Sequence, residues 1–129
     1  MELKKYFSSV KGLGVLSTAD TAGKVNSAIY SRPHIMDDGS VAFIMRDRLT
    51  HRNSLANPYA VYLFREDAPG YKGKRLYLKK IREEDDPELI AGLSRRAYPP
   101  DQEPTESRFL VLYELENVRP LIGDGDPAV

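Results

Sequence analysis

Along this chain hydrophobic residues recur mostly at every second position, in short runs separated by turn residues. Period-two alternation is the mark of strands that bury one face. Runs at 13–18, 25–36, 41–45, 59–64, 74–81 and 109–115 predict six strands. In the second, Val25, Ser27, Ile29 and Ser31 face one way, and Asn26, Ala28, Tyr30 and Arg32 face the other. Pro33 removes a ladder donor, which places the far end of that strand at a sheet edge or a bulge. Residues 19–23, ending in Gly23, form one turn, and Asp37-Asp38-Gly39 is a strong hairpin signal into the third strand. Loops are predicted at 67–74 and 99–105, and a frayed tail at 123–129.

Three stretches change to helical spacing. Residues 2–10 put Leu3, Phe7 and Val10 on one face, with Gly12 placed to end the helix. A second helix runs to about Asn57, with Thr50 as candidate N-cap and Pro58 as its stop. Asp86-Pro87-Glu88 combines an N-cap, a proline at the first helical position and an early acid, starting a third helix that carries Leu89, Ile90 and Leu93 on one side. Short strands linked mostly by turns, with modest helices, predict a mainly β protein: one domain over residues 1–129, built as an antiparallel barrel with short flanking helices.

Composition narrows the function classes. Lysine plus arginine equal aspartate plus glutamate at 19 each, and this balance argues against a nucleic-acid-binding domain. The absence of cysteine excludes disulfides, thiolate catalysis and cysteine-ligated iron–sulfur clusters. The two histidines, His34 and His51, show no metal-site spacing. The first ten residues lack the apolar run of a signal peptide, and no stretch approaches the ~20 apolar residues of a membrane-spanning helix. A cytoplasmic location is the resulting expectation.

The basic turn between the third strand and the second helix carries the clearest chemistry. Arg46, Arg48, His51 and Arg52 crowd a helix start, where unpaired N–H groups and the macrodipole already favour an anion. Cations normally prefer the other end of a helix, so this cluster reads either as a phosphate site or as a solvated basic patch with Asp47 as counter-charge. Tyr71, Lys72, Lys74 and Arg75 form a second basic cluster, read as a solvated edge or as a second anion contact.

The order of parts is more specific than any one of them. Strand, glycine turn, strand, Asp-Gly hairpin, strand, basic turn, a helix reading Asn53-Ser54-Leu55-Ala56-Asn57-Pro58 and a further strand resemble the flavin-binding half of the pyridoxamine 5′-phosphate oxidase-like split-barrel family. The resemblance covers about residues 10–80, with serine at position 54 where the family pattern has leucine. It implies a six-stranded antiparallel split barrel that binds FMN, probed by small-molecule electron donors and acceptors, as a homodimer with FMN at the subunit interface. Arg46, Arg48, Thr50, His51 and Asn53 are then assigned to the phosphate end, Ser27, Ala28, Ile29, Tyr30, Ile44 and Met45 to the flavin ring, and Leu49 to the cofactor site as a whole. The true oxidases carry a basic residue where this chain has Ala28, a lysine where it has Thr50, and an arginine-containing substrate motif that is missing near Leu121. The resemblance thus implies a flavin-dependent oxidoreductase or electron-transfer protein and not pyridoxamine phosphate oxidation. Two other readings stay open: a haem-binding protein with His34 as ligand, and a small-barrel nucleic-acid module stacking bases on Tyr59, Tyr62, Tyr71 and Tyr77.

Overall fold

The computed structural model describes residues 2–94 and 107–125. Its elements run α1 (Leu3–Ser9), β1 (Gly12–Ala19), β2 (Val25–Ile29), β3 (His34–Ile35), β4 (Val41–Arg46), α2 (Leu49–Ala56), β5 (Tyr59–Glu66), β6 (Gly73–Glu84), α3 (Pro87–Leu93) and β7 (Arg108–Pro120). All the strands join one antiparallel sheet in the order β2-β1-β5-β6-β7-β4-β3. Among the described residues seven strands form where the pattern predicted six, because the run 25–36 is broken at Tyr30–Pro33. Its two halves, β2 and β3, end at opposite edges of the sheet. Pro33 marks the break, as a residue without an N–H must leave the ladder. The loop predicted at 99–105 and residues 126–129 of the tail lie outside the described residues.

The sheet rolls on itself. Phe43 on β4 and Tyr62 on β5 have two strands between them in sheet order, which in a flat sheet would separate them by about 14 Å. Their ring centroids are 5.0 Å apart. Alternate residues of β1, β4, β5, β6 and β7 fill the space inside, among them Leu16, Phe43, Met45, Tyr62, Phe64, Leu76 and Val111. Burying each such side chain contributes roughly 1.5–3 kcal/mol. Phe7 and Leu3 of α1 plug one end of this core, with Phe7 edge-on to Phe64 at 5.2 Å. Outside the barrel α3 lays Ile90 over Ala42, Leu110 and Leu112 of β4 and β7, as the spacing of its apolar residues predicted. Its N-cap also forms as predicted: the Asp86 carboxylate accepts from the Glu88 N–H at 3.0 Å. Bulges at Tyr77/Leu78 and Lys80/Arg82 bend the long β6–β7 ladder, so that β7 can pair with β6 on one side and β4 on the other.

Two turns confirm local readings. Gly39 sits at φ +88 in the hairpin before β4, and the Asp38 carboxylate accepts from the Ser40 N–H at 2.9 Å. Asp20 likewise accepts from Ala22 and Lys24 N–H groups between β1 and β2.

One contact fixes where β2 leaves the sheet. The Tyr62 hydroxyl, inside the barrel, donates to the Tyr30 carbonyl at 3.1 Å, and the Tyr30 N–H donates to the Gly14 carbonyl at 3.0 Å. Gly14 makes this possible, because a Cβ there would overlap the hydroxyl and ring of Tyr62. Gly14→Ala is expected to destabilise the fold by about 1–3 kcal/mol, the range for forcing an extra carbon into a packed interior. Urea unfolding of the two proteins measures it, and equal midpoints and slopes would contradict this packing.

Candidate functional site

A cavity of about 500 Å³ opens between the inner side of β2 and the strand-to-helix turn after β4. That volume lies within the range of small-molecule sites. On β2 the residues Asn26 and Ala28, followed by Tyr30 and Arg32, line the cavity. On β4 the core takes Val41, Phe43 and Met45, leaving Ile44 and Arg46 to the cavity side. Arg48, Leu49 and Thr50 complete the wall at the start of α2.

The helix start is basic, with the Asp47 carboxylate just before it 3.4 Å from the His51 Nδ1. α2 has Arg48 at its N-cap, no side-chain cap hydrogen bond and no acidic residue in its first turn. Thr50, predicted as the cap, is the second residue of the helix instead, because the chain turns earlier: the Arg48 N–H donates to the Arg46 carbonyl at 2.8 Å. The Thr50 side chain is hydrogen-bonded to the Tyr30 phenol, which burial pushes above its ordinary pKa while the Thr50 bond and the Arg48 charge pull it back. β2 and α2 are thus linked across one end of the cavity.

Eight of the twelve residues assigned to the cofactor in the sequence line the cavity: Ala28, Ile29, Tyr30, Ile44, Arg46, Arg48, Leu49 and Thr50. The side chains of Ser27, Met45, His51 and Asn53 are placed elsewhere. Ser27 shares a 2.8 Å hydrogen bond with Ser17 on the outer face of the sheet, and Met45 is fully buried in the core. Asn53 donates to the Thr18 hydroxyl at 3.2 Å, and Asn57 reaches the Asp20 carbonyl at 3.4 Å. The asparagines of the Asn-Pro motif therefore tie α2 to the β1–β2 hairpin.

His51 holds the helix from behind. Its ring is stacked on Phe109 of β7 at 4.0 Å and 7°, and Nε2 lies 3.0 Å from the Glu83 carboxylate. The Lys80 ammonium donates to the same carboxylate at 2.6 Å. Burial pushes the Glu83 carboxyl up, but hydrogen bonds and charges from Lys80 and His51 outweigh it and hold it below the ordinary 4.5.

Pattern reading missed Asn26, Arg32, Ser94 and Arg108, all of which line the cavity. Only strand register could have found Arg108, which stands directly opposite Arg46 in the β4–β7 ladder. Arg32 also serves the scaffold, since its Nη1 donates to the Phe7 and Val10 carbonyls at the end of α1. His34, on the edge strand β3, lines the cavity too. The second basic cluster is dispersed by alternation: Lys74 is buried over the Tyr6 ring at 4.7 Å, while Arg75 donates to the Pro120 carbonyl at 2.9 Å. Tyr62 is fully buried, so it offers no stacking platform to a nucleobase. Among the described residues no group of three or more His, Cys, Asp or Glu is placed to hold a metal ion, and no helix is long and apolar enough to cross a membrane.

No protein-family model matches the sequence, and no curated protein matches it. Solved structures do. HupZ of Group A Streptococcus superposes with a TM-score of 0.69 at 16% identity, over 98% of this chain and 97% of that one. An FMN-binding protein from Syntrophomonas wolfei subsp. wolfei gives 0.68 at 17% identity, over 94% of this chain and 84% of that one. An F420 reductase gives 0.68 at 15% identity, over 88% and 94%. The chain has the pyridoxamine 5′-phosphate oxidase-like split-barrel fold. The edge strands of the sheet are β2 and β3, and the cavity is lined by residues of β2, β4 and the start of α2.

The pH dependence of the His51 anchor follows from the depressed Glu83 carboxyl. A carboxyl whose folded pKa lies below its unfolded value adds stability that is present above about pH 4.5 and is lost as the pH falls below it. Glu83→Gln is expected to lower stability at pH 7 by about 1–3 kcal/mol, the range for a hydrogen bond to a charged group. The gap between the variant and the parent should shrink as the pH drops through the acid range. Urea unfolding at neutral and acid pH checks this, and a gap that does not depend on pH would contradict it.

Proposed function

We propose that the cavity of this split barrel binds FMN and that the protein is a flavin-dependent oxidoreductase or electron-transfer protein. The observation that carries this reading is the start of α2, which has no acid in its first turn and no side-chain cap, has Arg46, Arg48 and Thr50 around it, and opens on a cavity of about 500 Å³. A phosphate would meet helix N–H groups, the dipole's positive end and guanidinium donors together. The residues present fit the rest of the cofactor as well. Ala28 and Tyr30 on one side and Ile44 on the other offer a narrow, largely apolar slot for a flat ring, with strand backbone at hand for its polar edge. FMN, when bound, supplies hydride or single-electron chemistry. The protein's part is to hold the phosphate, orient the ring between β2 and β4 and keep water from one face of it. The FMN-binding neighbour of the same fold supports the reading.

A second copy of the chain completes the arrangement in this proposal. Ile29, Val15 and Leu63 stand in register across β2, β1 and β5, pointing away from the core. Val25 and Ile29 are 68% and 73% exposed, an apolar row beside the cavity wall that a homodimer would cover.

Purified protein is expected to be yellow, or to quench the fluorescence of added FMN at micromolar concentration. Colourless protein without such affinity would end the proposal. Arg48→Ala and Thr50→Ala should each weaken FMN binding by about 1–3 kcal/mol, as loss of a hydrogen bond to a charged group does. Fluorescence titration reads this, and unchanged affinity in both would refute the placement of the phosphate. Val25→Asp, outside the cavity, should shift the sedimentation of a dimer towards monomer; a dimer untouched by it would move the interface off this face.

A further inference from the structure

α1 closes one end of the barrel, yet its own sequence does little to keep it helical. It has seven residues, its N-cap side chain makes no hydrogen bond, and it carries no acid in its first turn and no base in its last. An isolated helix this short does not persist in water, so its order comes from docking. Leu3 and Phe7 enter the core, and the Tyr6 phenol donates to the Glu66 carboxylate at 2.6 Å. The far end is held from outside the helix. The last carbonyls of a helix lack partners of their own, and here Arg32 Nη1 donates to the Phe7 carbonyl at 2.9 Å and to the C-cap Val10 carbonyl at 3.1 Å. The same Arg32 forms part of the cavity wall. It stands in the link between β2 and β3, two residues after Tyr30 and two before His34, both of which line the cavity as well. A second tie joins α1 to the hairpin before β4: Lys4 Nζ lies 2.7 Å from the Asp37 carboxylate. Both of those side chains are exposed, so that pair contributes little and Arg32 is the stronger link.

We propose that Arg32 couples the docking of α1 to the occupancy of the cavity, so that a ligand which fixes the wall at Arg32 also tightens α1. No contact between ligand and helix is needed. A ligand that restricts the link between β2 and β3 leaves the guanidinium in place for the Phe7 and Val10 carbonyls, and α1 then docks at a lower cost in entropy. The coupling is reciprocal: whatever loosens α1 loosens the wall. Arg32 is thus a positioning residue, and α1 is the part of the fold where occupancy is read. FMN as the occupant comes from the function proposed above; the tie between α1 and the wall stands without it.

Amide hydrogen exchange read by mass spectrometry tests both directions. FMN is titrated into the protein first, which by itself decides the cofactor reading. In the parent protein saturating FMN is expected to slow exchange of the α1 amides about fivefold or more, the low end of a typical coupling between sites. R32K keeps the charge but loses the planar fork, and at saturating FMN its α1 should gain less than about twofold protection. The second comparison uses no ligand. Y6F removes the bond to Glu66 and should speed exchange of α1; the segment 30–36 should speed up with it, beyond any change in β5 and β6, which report global stability. In the double variant Y6F/R32K the segment 30–36 should no longer follow α1. Exchange of α1 that saturating FMN leaves unchanged, or protection that survives in full in R32K, overturns the coupling. Should FMN fail to bind, the ligand-free comparison decides alone, and a wall that ignores Y6F overturns it. Thermal melts check that the variants fold, and the parent with and without FMN needs none of them.

Discussion

The architecture depends on a tight steric fit inside the barrel. Gly14 has no side chain, the Tyr62 hydroxyl fills the space this leaves, and that hydroxyl binds the Tyr30 carbonyl. A buried phenol usually finds an acceptor, and here the acceptor is the backbone carbonyl directly after β2. Tyr30 is thereby held with its ring edge-on to Phe43 at 6.0 Å and its phenol bonded to the Thr50 side chain. Core packing and cavity geometry meet in this one residue. A change in the barrel interior would be felt directly at the wall where a ligand lies.

The helix opposite is held by a different device. α2 is not an amphipathic helix anchored by an apolar stripe; its buried residues are Thr50, His51, Asn53 and Ser54. Each has a polar partner: the Tyr30 phenol, the Glu83 carboxylate, the Thr18 hydroxyl and the His51 carbonyl. A polar anchor gives direction as well as adhesion, since hydrogen bonds set angles that apolar contacts leave loose. The helix N-terminus is therefore aimed, and its basic end faces the cavity.

Local chemistry made much of this legible in the sequence. The Asp37-Asp38-Gly39 hairpin and the Asp86-Pro87-Glu88 helix start form as read, because their signals act within a few residues. The alternation along 25–32 also holds, with Asn26, Ala28, Tyr30 and Arg32 on the cavity side. What stayed hidden depends on distant pairing. The division of 25–36 between opposite edges of the sheet needs the barrel to roll, and the meeting of Arg46 with Arg108 needs a register between strands about sixty residues apart. The Asn-Pro motif was visible, but its asparagines point to β1 and the β1–β2 turn, contacts that no spacing along α2 reveals.

The pairing of β4 with β7 has a consequence in time. Val41 meets Tyr113 and Arg46 meets Arg108, so one wall of the cavity is braced by the last strand of the chain. Closing so long a loop before any contact rewards it is slow compared with forming hairpins. During synthesis β1, β2, β4 and α2 emerge well before the strand that supports them. The pocket is thus a late product of folding, and a chain still on the ribosome, or one cut before residue 108, has the basic turn but no shaped cavity to present it in.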